Sequence, residues 1–237
     1  MTTPTRETQL VDAFTTLADT LVVGYDIVDL LQTLVENCRD ILDITAAGIL
    51  LADGSGQLEV VASTSEASNL VEIMQVDAHE GPCLDAFTTG KAVAVPDVDA
   101  DPSRWPQFRN EARKQGFRGV FALPLHLRKE VIGTLNLLRA ELGEMSARDL
   151  RAAQALADVA TIGILHERTL NDSNTVQAQL QKALHSRVAI EQAKGFVAQR
   201  HSISTDEAFD LIRRHARNHQ MYIGDVAKQL LEKTLTL

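Results

Sequence analysis

Three charged residues near the end of the chain have a spacing that places them in one stripe. Arg187, Glu191 and Lys194 belong to the segment SRVAIEQAKGFVAQRH, residues 186–201. Steps of four and three residues put their side chains on one face of a helix, within two turns. Two cations so placed can bind an anionic partner. The same spacing also forms ordinary ion pairs between each cation and the acid, so the pattern alone leaves both interpretations open.

A second basic cluster follows in the same part of the chain. Arg213 and Arg217 are spaced by four residues, with Arg214 beside them. Residues 176–237 contain nine Lys and Arg and six Asp and Glu, a net charge of +3, and the whole-chain charge of −9 leaves −12 for residues 1–175. This asymmetry favours an anionic partner for the tail, although a solvated helix surface has the same composition.

His79 and Cys83 in the segment HEGPC are a candidate pair of catalytic base and nucleophile. A thiol near a helix N-terminus has a lowered pKa and can act as a nucleophile. No acid or oxyanion partner stands at a fitting distance in the sequence, and neither a glycine-rich phosphate loop nor a pair of catalytic carboxylates is present. The two cysteines form no metal-binding spacing, and Cys38 falls on an apolar helix face as a buried free thiol. We therefore predict neither an enzyme nor a metal site.

Three side chains are candidates for lining a small-molecule pocket: Cys83, Trp105 and His126. An aromatic residue such as Trp105 more often packs a helix onto a sheet. His126 alternates with leucines in a strand and therefore faces away from them. The ligand is unknown, and the sequence leaves open whether the occupant is a small molecule, a partner protein or nothing.

These residues are positioned by strands in antiparallel pairs with helices on either side in the sequence. Two hairpins are predicted, with turns at residues 53–56 and 128–130. The five predicted strands are AAGILLAD, QLEVVAST, KAVAVPDV, GVFALPLHL and VIGTLNLLRA. Helices are predicted at 6–23, 26–42, 82–90, 104–116 and 146–164. The pattern indicates an α+β domain over residues 1–168, with one helical layer on an antiparallel sheet.

The rest of the chain is predicted to be helical. Residues 169–175 form a helical stalk or a linker, and a parallel stalk would pair two tails in a dimer. Residues 176–237 contain three amphipathic helices, the second of which begins with a capping box from Ser204 to Glu207. The N-terminus lacks the features of a signal peptide, and no apolar run reaches the ~20 residues of a membrane span. We expect a cytoplasmic protein without a membrane segment.

The tail sequence resembles a known family of RNA-binding modules. SRVAIEQAKGFVAQRHSISTDEAFDLIRRHARN, followed by DVA, is similar to the ANTAR domain of bacterial transcription antiterminators, over about residues 176–235. EGPCLDAFTTG, RWPQF, ALPLHL and VIGTLNLL resemble the GAF domain, a sensor of small molecules or signals, over residues 10–168. The whole chain resembles the antitermination regulators of actinobacterial type that combine these two domains.

The resemblance implies a homodimer in a pathway similar to two-component signalling. The GAF domain would sense a signal, with a small molecule as its conceivable ligand, and each ANTAR tail would bind one of two hairpins in a leader RNA. The residues expected to contact RNA are Arg187, Gln192, Lys194, Arg213, Arg214, Arg217 and Tyr222. A basic turn of the family is replaced here by Met221, Tyr222 and Gly224, of which Tyr222 can stack on a base.

Two other functions fit parts of the sequence. A helix-turn-helix DNA-binding tail would need a recognition helix that is basic at its start, whereas the third helix begins with residues 222–225, YIGD. A metabolite or redox sensor could use its tail for dimerisation alone, which agrees with the lost basic turn. Some GAF proteins reduce methionine sulfoxide through several cysteines, but two cysteines far apart in the sequence do not support that activity.

Overall fold

The computed structural model describes residues 5–20, 27–53, 55–127, 130–170, 176–219 and 221–237. The elements in these ranges are numbered here in chain order. They are α1 (Arg6–Thr20), α2 (Ile27–Ile41), β1 (Ala46–Ala52), β2 (Leu58–Ser63), α3 (Glu66–Ala78), α4 (Pro82–Thr89), β3 (Val93–Val95), α5 (Pro106–Lys114), β4 (Gly119–Leu127), β5 (Glu130–Arg139), α6 (Ala147–Leu170), α7 (Val176–His201), α8 (Thr205–Asn218) and α9 (Ile223–Leu231).

The five strands form one antiparallel sheet in the order β2-β1-β5-β4-β3. Both predicted hairpins are present, as β1–β2 and β4–β5. Residues 54, 128 and 129 of their predicted turns lie outside the described residues, as do residues 21–26 with the predicted helix cap at Asp26. The antiparallel sheet with its helices confirms the predicted α+β class.

Helices cover both faces of the sheet, and the side chains of β1 point alternately toward the helices on one face and those on the other. Ile49 and Leu51 pack with α2 and α6 in the main core, whereas Ala46 packs with α3 and α5 on the opposite face. Leu50 also lies on that opposite face, against α4. The second layer, made of α3, α4 and α5, adds to the single helical layer that the sequence predicted.

Helix α3 was not predicted, because polar residues occupy its buried face. Ser68, Glu72 and Gln75 are all buried and are spaced at helical intervals beside Val71. A face built from serine, glutamate and glutamine has no apolar periodicity to recognise. The local start signal is nevertheless present, since Ser65 caps the helix by accepting a hydrogen bond from the Ser68 amide at 3.1 Å.

The tail forms the predicted three-helix module. Its capping box is confirmed: the Glu207 amide donates to Ser204 Oγ at 3.1 Å, and the Ser204 amide donates to Glu207 Oε2 at 2.9 Å. Gly224 lies where α9 approaches α7, and a Cβ at that position would lie 2.7 Å from Ser186 Oγ. Of the predicted stalk, residues 169–170 end α6, and residues 171–175 lie outside the described residues.

The tail packs against the sheet domain rather than standing apart from it. Ile190 and Ala193 of α7 belong to the same continuous apolar core as α2 and α6. Ala193 of α7 therefore serves helix packing, since it is completely buried. Among the helices of the described ranges, none is both long and apolar enough to cross a membrane.

Two glycines with opposite surroundings give a matched test of the described backbone contacts. A Cβ at Gly133 in β5 would lie 2.2 Å from the Leu50 carbonyl oxygen, whereas a Cβ at Gly195 in α7 would meet nothing within 4 Å. We expect Gly133→Ala to lower the free energy of unfolding by about 1–3 kcal/mol through overpacking. Gly195→Ala should raise it by about 0.5–1 kcal/mol, because alanine favours a helix. Denaturant unfolding measures both, and equal effects would contradict the described backbone contacts.

Candidate nucleic-acid interface

Arg213 is the most constrained of the basic side chains expected to contact RNA. It lies on α8 and points into the polar side of α2, where its side chain is only 10% exposed. Its Nε donates to Asp29 Oδ1 at 2.5 Å, and its Nη1 donates to both Glu36 carboxylate oxygens at 2.9 and 2.8 Å. Nη2 donates to Thr33 Oγ1 at 2.6 Å. Every nitrogen of this guanidinium is therefore bound to α2.

Electrostatics keep Arg213 charged in this position. Burial disfavours the charged guanidinium, but Asp29 and Glu36 outweigh that effect and raise the pKa of Arg213. Arg217, one turn further along α8, binds the same Asp29 with Nε at 3.2 Å and Nη2 at 3.1 Å. The Arg217 side chain remains 55% exposed. In the second basic cluster, Arg213 is therefore buried, whereas Arg217 is about half exposed.

The stripe on α7 makes both of the ion pairs that its spacing allows. Glu191 lies 3.1 Å from Arg187 and 3.1 Å from Lys194. Arg187 also reaches the sheet domain, where its Nη1 donates to the Val61 carbonyl oxygen at 3.0 Å. The Lys194 ammonium lies 5.5 Å from the centre of the Phe209 ring. Both cations are more than four-fifths buried, so the stripe faces the protein in this arrangement.

Arg187, Lys194 and Arg213 line one polar cavity of about 290 Å³ between the sheet domain and the tail. Arg39 adds a fourth cation, and the Phe209 ring forms part of the wall. Four carboxylates line the same cavity: Glu36, Glu191, Asp206 and Asp210. Positive and negative groups are balanced there, so a free anion gains little by entering this cavity as it stands.

The other residues expected to contact RNA lie away from that cavity. Arg214 is exposed on α8, and Tyr222 is 40% exposed at the start of α9. Gln192 is exposed and lines a second, mainly apolar cavity of about 440 Å³ between α7, α3 and β2. The expected RNA-binding set is therefore split into a covered group and an open group.

The three candidates for a sensor pocket are not brought together. Cys83 is buried in the first turn of α4, and burial raises its pKa, the opposite of the lowering expected for a thiol at a helix N-terminus. Trp105 packs edge-on against Phe108 with the ring centres 6.1 Å apart, while the Arg104 guanidinium stacks on it at 3.8 Å. His126 is exposed on β4. Trp105 is partly buried against the apolar cluster of α5, and it also lines a cavity of about 150 Å³.

A buried polar cluster on the α3 side of the sheet was missed by the sequence analysis. Glu72 and Gln75 of α3 and Thr134 and Asn136 of β5 are all buried, and Glu72 lies beside Asn136 and Gly48. Among the described residues, Gln75 Nε2 and Thr134 Oγ1 have no hydrogen-bond partner, and the Glu72 carboxyl group has the Asn136 side chain as its one neighbouring hydrogen-bonding group. Burial raises the pKa of Glu72 well above its ordinary value, and the nearby Arg187 and Asn136 only partly oppose this effect. The described residues contain no cluster of metal-ligating side chains.

The family model of the GAF domain matches residues 25–165, more than half of the chain. The chain belongs to the GAF domain family. The ANTAR domain model matches residues 178–231, which cover most of α7 together with α8 and α9. GAF domains are sensor domains and ANTAR domains are RNA-binding domains of antitermination regulators, so this GAF protein combines the two predicted modules. A search of the curated proteins found no match.

Solved structures share the GAF fold at low sequence identity. Free methionine-R-sulfoxide reductase from Neisseria meningitidis is 18% identical with a TM-score of 0.55, covering 72% of this chain and 96% of its own. A methyl-accepting chemotaxis protein fragment, residues 122 to 287, is 19% identical with a TM-score of 0.54, covering 68% and 99%. The GAF domain of a phosphoenolpyruvate-protein phosphotransferase from Coxiella burnetii is 15% identical with a TM-score of 0.53, covering 68% and 96%. These likenesses establish the fold alone.

Glu72 gives a pH-dependent prediction for this GAF domain. The pKa of Glu72 is higher in the folded chain than in the unfolded chain, so the unfolded chain releases this proton at a lower pH. The stability of the wild type therefore falls as pH rises above 4.5, the ordinary pKa of a glutamate. Glu72→Gln removes this loss. The variant should match the wild type below pH 4.5 and gain up to about 1.4 kcal/mol per pH unit above it, until the folded-state pKa is passed. Unfolding from pH 4 to 8 measures this, with exposed Glu66→Gln in the same helix as the control. A constant difference across that range would contradict the assigned burial.

Proposed function

We propose that this protein is an RNA-binding transcription antitermination regulator of the cytoplasm. Its ANTAR tail binds hairpins of leader RNA, and its GAF domain controls that binding in response to a signal. The observation that carries the proposal is the ANTAR match over a tail whose helices α7 and α8 present two groups of cations. Cations spaced along short helices can grip the phosphates of a hairpin while its splayed bases contact polar and aromatic side chains.

The proposed RNA-binding face combines the covered and the open residues of the tail. Arg187, Lys194 and Arg213 lie around one cavity, and Arg217 lies at its side. Arg214 and Tyr222 supply an exposed cation and an exposed aromatic ring on the same module. Phosphate contacts of this kind position an RNA, while stacking on Tyr222 holds an unpaired base.

For the GAF domain we propose a small polar ligand held by the buried cluster around Glu72. Buried polar atoms are almost always hydrogen-bonded, so a group of them without partners calls for an occupant. A compact molecule with both donors and acceptors would satisfy Glu72, Gln75, Thr134 and Asn136 together. Cys83 adjoins this cluster, since its amide donates to Gln75 Oε1 at 3.0 Å, whereas the proposed site does not require Trp105 or His126.

Regulation, rather than catalysis, is supported by the state of the two cysteines. Cys38 lies in the core with α2, and Cys83 lies on the opposite face of the sheet with α4. Burial raises the pKa of Cys38 to about 12 and raises that of Cys83 as well. Two buried thiols separated by the sheet cannot form the disulfide that thiol-based reduction of a sulfoxide would leave behind. The likeness to the Neisseria reductase is therefore proposed to be one of fold only.

A competing function is a sensor whose tail mediates only dimerisation. It is favoured by the occupancy of Arg187 and Arg213, which already bind protein groups. A DNA-binding helix-turn-helix tail fits less well, because Ile223, Val226 and Leu230 of α9 are buried in the module. A helix whose apolar face is buried in a core and whose cation is Lys228, with Lys233 beyond its end, is a poor reader of the major groove.

Crosslinking in the protein's own cells, followed by sequencing of the captured nucleic acid, tests the proposal. Leader RNAs that contain paired hairpins upstream of a terminator are the expected result. Captured DNA, or no nucleic acid above background, would overturn it and favour the alternative in which the tail only dimerises.

Arg214 gives a direct test of the proposed face. Arg214→Gln removes one exposed cation, so binding to a labelled pool of tandem RNA hairpins with randomised loops should weaken about three- to tenfold. The slope of log affinity against log salt should fall by about 0.7–0.9, as expected for one lost phosphate contact. Arg151→Gln, an exposed arginine of α6, is the matched control and should change neither quantity. Equal effects of the two variants would indicate non-specific charge attraction.

We also propose that the protein binds RNA as a homodimer. Two linked tails gain affinity only if both reach a hairpin of the same RNA, because the second contact is then intramolecular. Tandem hairpins should therefore bind at least about tenfold more tightly than a single hairpin of the same sequence. Fluorescence anisotropy measures both affinities, and sedimentation measures the mass of the bound species. Equal affinities for the two RNAs, with one chain bound to each, would contradict dimeric binding.

A further inference from the structure

Helix α2 presents a row of oxygen atoms to the tail. Asp29, Thr33 and Glu36 are spaced by four and three residues, so their side chains project from one face of the helix. The opposite face is apolar and is buried on the sheet, with Leu30, Leu34 and Val35 completely inaccessible. The rigid sheet domain therefore holds this row in place, and the row meets α8.

The carboxylates of this row bind two arginines through the same kind of contact that a phosphate group would make. Glu36 accepts two hydrogen bonds from Arg213 Nη1, and Asp29 accepts from Arg213 and from Arg217. Arginine pairs with carboxylate and phosphate through the same planar set of donors. Because Arg213 already uses all three of its nitrogens on α2, an RNA phosphate can bind it only after α2 has left.

We propose that the carboxylates of α2 compete with RNA for the arginines of α8, so that the described arrangement is an autoinhibited state. This inference rests on the proposed RNA-binding function and specifies how that function is regulated. The tail must separate from α2 before Arg213 and Arg217 can contact a hairpin. A cation that is buried without a partner is strongly disfavoured, so in the absence of RNA the carboxylates keep the arrangement closed.

The contact surface between the sheet domain and the tail also offers a route by which a ligand of the GAF domain could release the tail. Arg187 lies between the Val61 carbonyl oxygen and the Asn69 side chain, at 3.0 and 3.5 Å. Asn69 and Glu72 are on the same helix, α3, and Glu72 interacts electrostatically with Arg187. A ligand that satisfies or displaces Glu72 therefore alters the environment of a tail residue directly. α2 is tied to the same region, since Gln32 donates to both Glu36 and the Ser63 carbonyl oxygen.

The test compares charge-neutral variants of α2 with a control of equal charge. Asp29→Asn with Glu36→Gln preserves shape and removes both charges that hold Arg213. Asp12→Asn with Glu130→Gln removes two exposed charges, one on α1 and one on β5, that lie outside the cavity. The full-length proteins are titrated against the fluorescent pool of tandem RNA hairpins with randomised loops. We expect the α2 variant to bind at least about tenfold more tightly than the wild type and the control to stay within about threefold.

The outcomes separate this inference from the function on which it rests. A gain in the α2 variant that disappears when Arg213→Ala is added supports autoinhibition through that arginine. Equal RNA affinity of the wild type, the α2 variant and the control overturns autoinhibition and leaves the RNA-binding function standing. Failure of all variants to bind the RNA overturns the proposed function and the inference together.

Folding is checked by thermal unfolding of every variant. If the double substitution in α2 prevents cooperative unfolding, the single variant Asp29→Asn replaces it, because Glu36 then still pairs with Arg213. That variant should show a smaller gain in RNA affinity, about threefold or more, against Asp12→Asn alone as its control. An unchanged affinity in a folded Asp29→Asn protein would overturn the inference.

Discussion

The guanidinium of Arg213, held by Asp29, Thr33 and Glu36, is the interaction on which the described arrangement of the two domains depends. The Arg213 side chain is nine-tenths buried, so its charge needs carboxylates close to it. Among the described residues, α2 is the segment that supplies them. α2 can do so because its apolar face is fixed on the sheet. The contact therefore joins the sensor fold to the tail and at the same time occupies a residue that RNA would need.

The buried polar cluster places a second demand on the same fold. Glu72 is buried between α3 and the sheet beside the apolar clusters of α4 and α5, and the absence of a side chain at Gly48 of β1 leaves room for its carboxyl group. Burial raises the pKa of Glu72, so the charged form of this carboxyl group is disfavoured in the folded chain. α3 carries this group and also Asn69, which binds Arg187 of the tail. The sensor layer and the tail therefore meet at one helix.

Much of the fold could be predicted from sequence, because hairpins, caps and amphipathic helices are local patterns. α3 was missed since its buried face is polar. The basic residues of the tail could be identified, but their partners could not, because Arg213 and Asp29 are 184 positions apart and charge patterning carries no information on distant contacts. The glycine at position 224, interpreted from sequence as a lost cation, is explained by the close approach of α9 to Ser186.

Competition between α2 and RNA for α8 is the central claim, and hydrogen–deuterium exchange of the wild-type protein tests it most directly. Exchange is followed in α2 (Ile27–Ile41) and α8 (Thr205–Asn218) with and without saturating hairpin RNA captured by crosslinking. If RNA displaces α2, amides of α8 become more protected while amides on the exposed side of α2 exchange faster. Protection of α8 with unchanged or slower exchange in α2 would show that both partners bind together, and it would contradict the account.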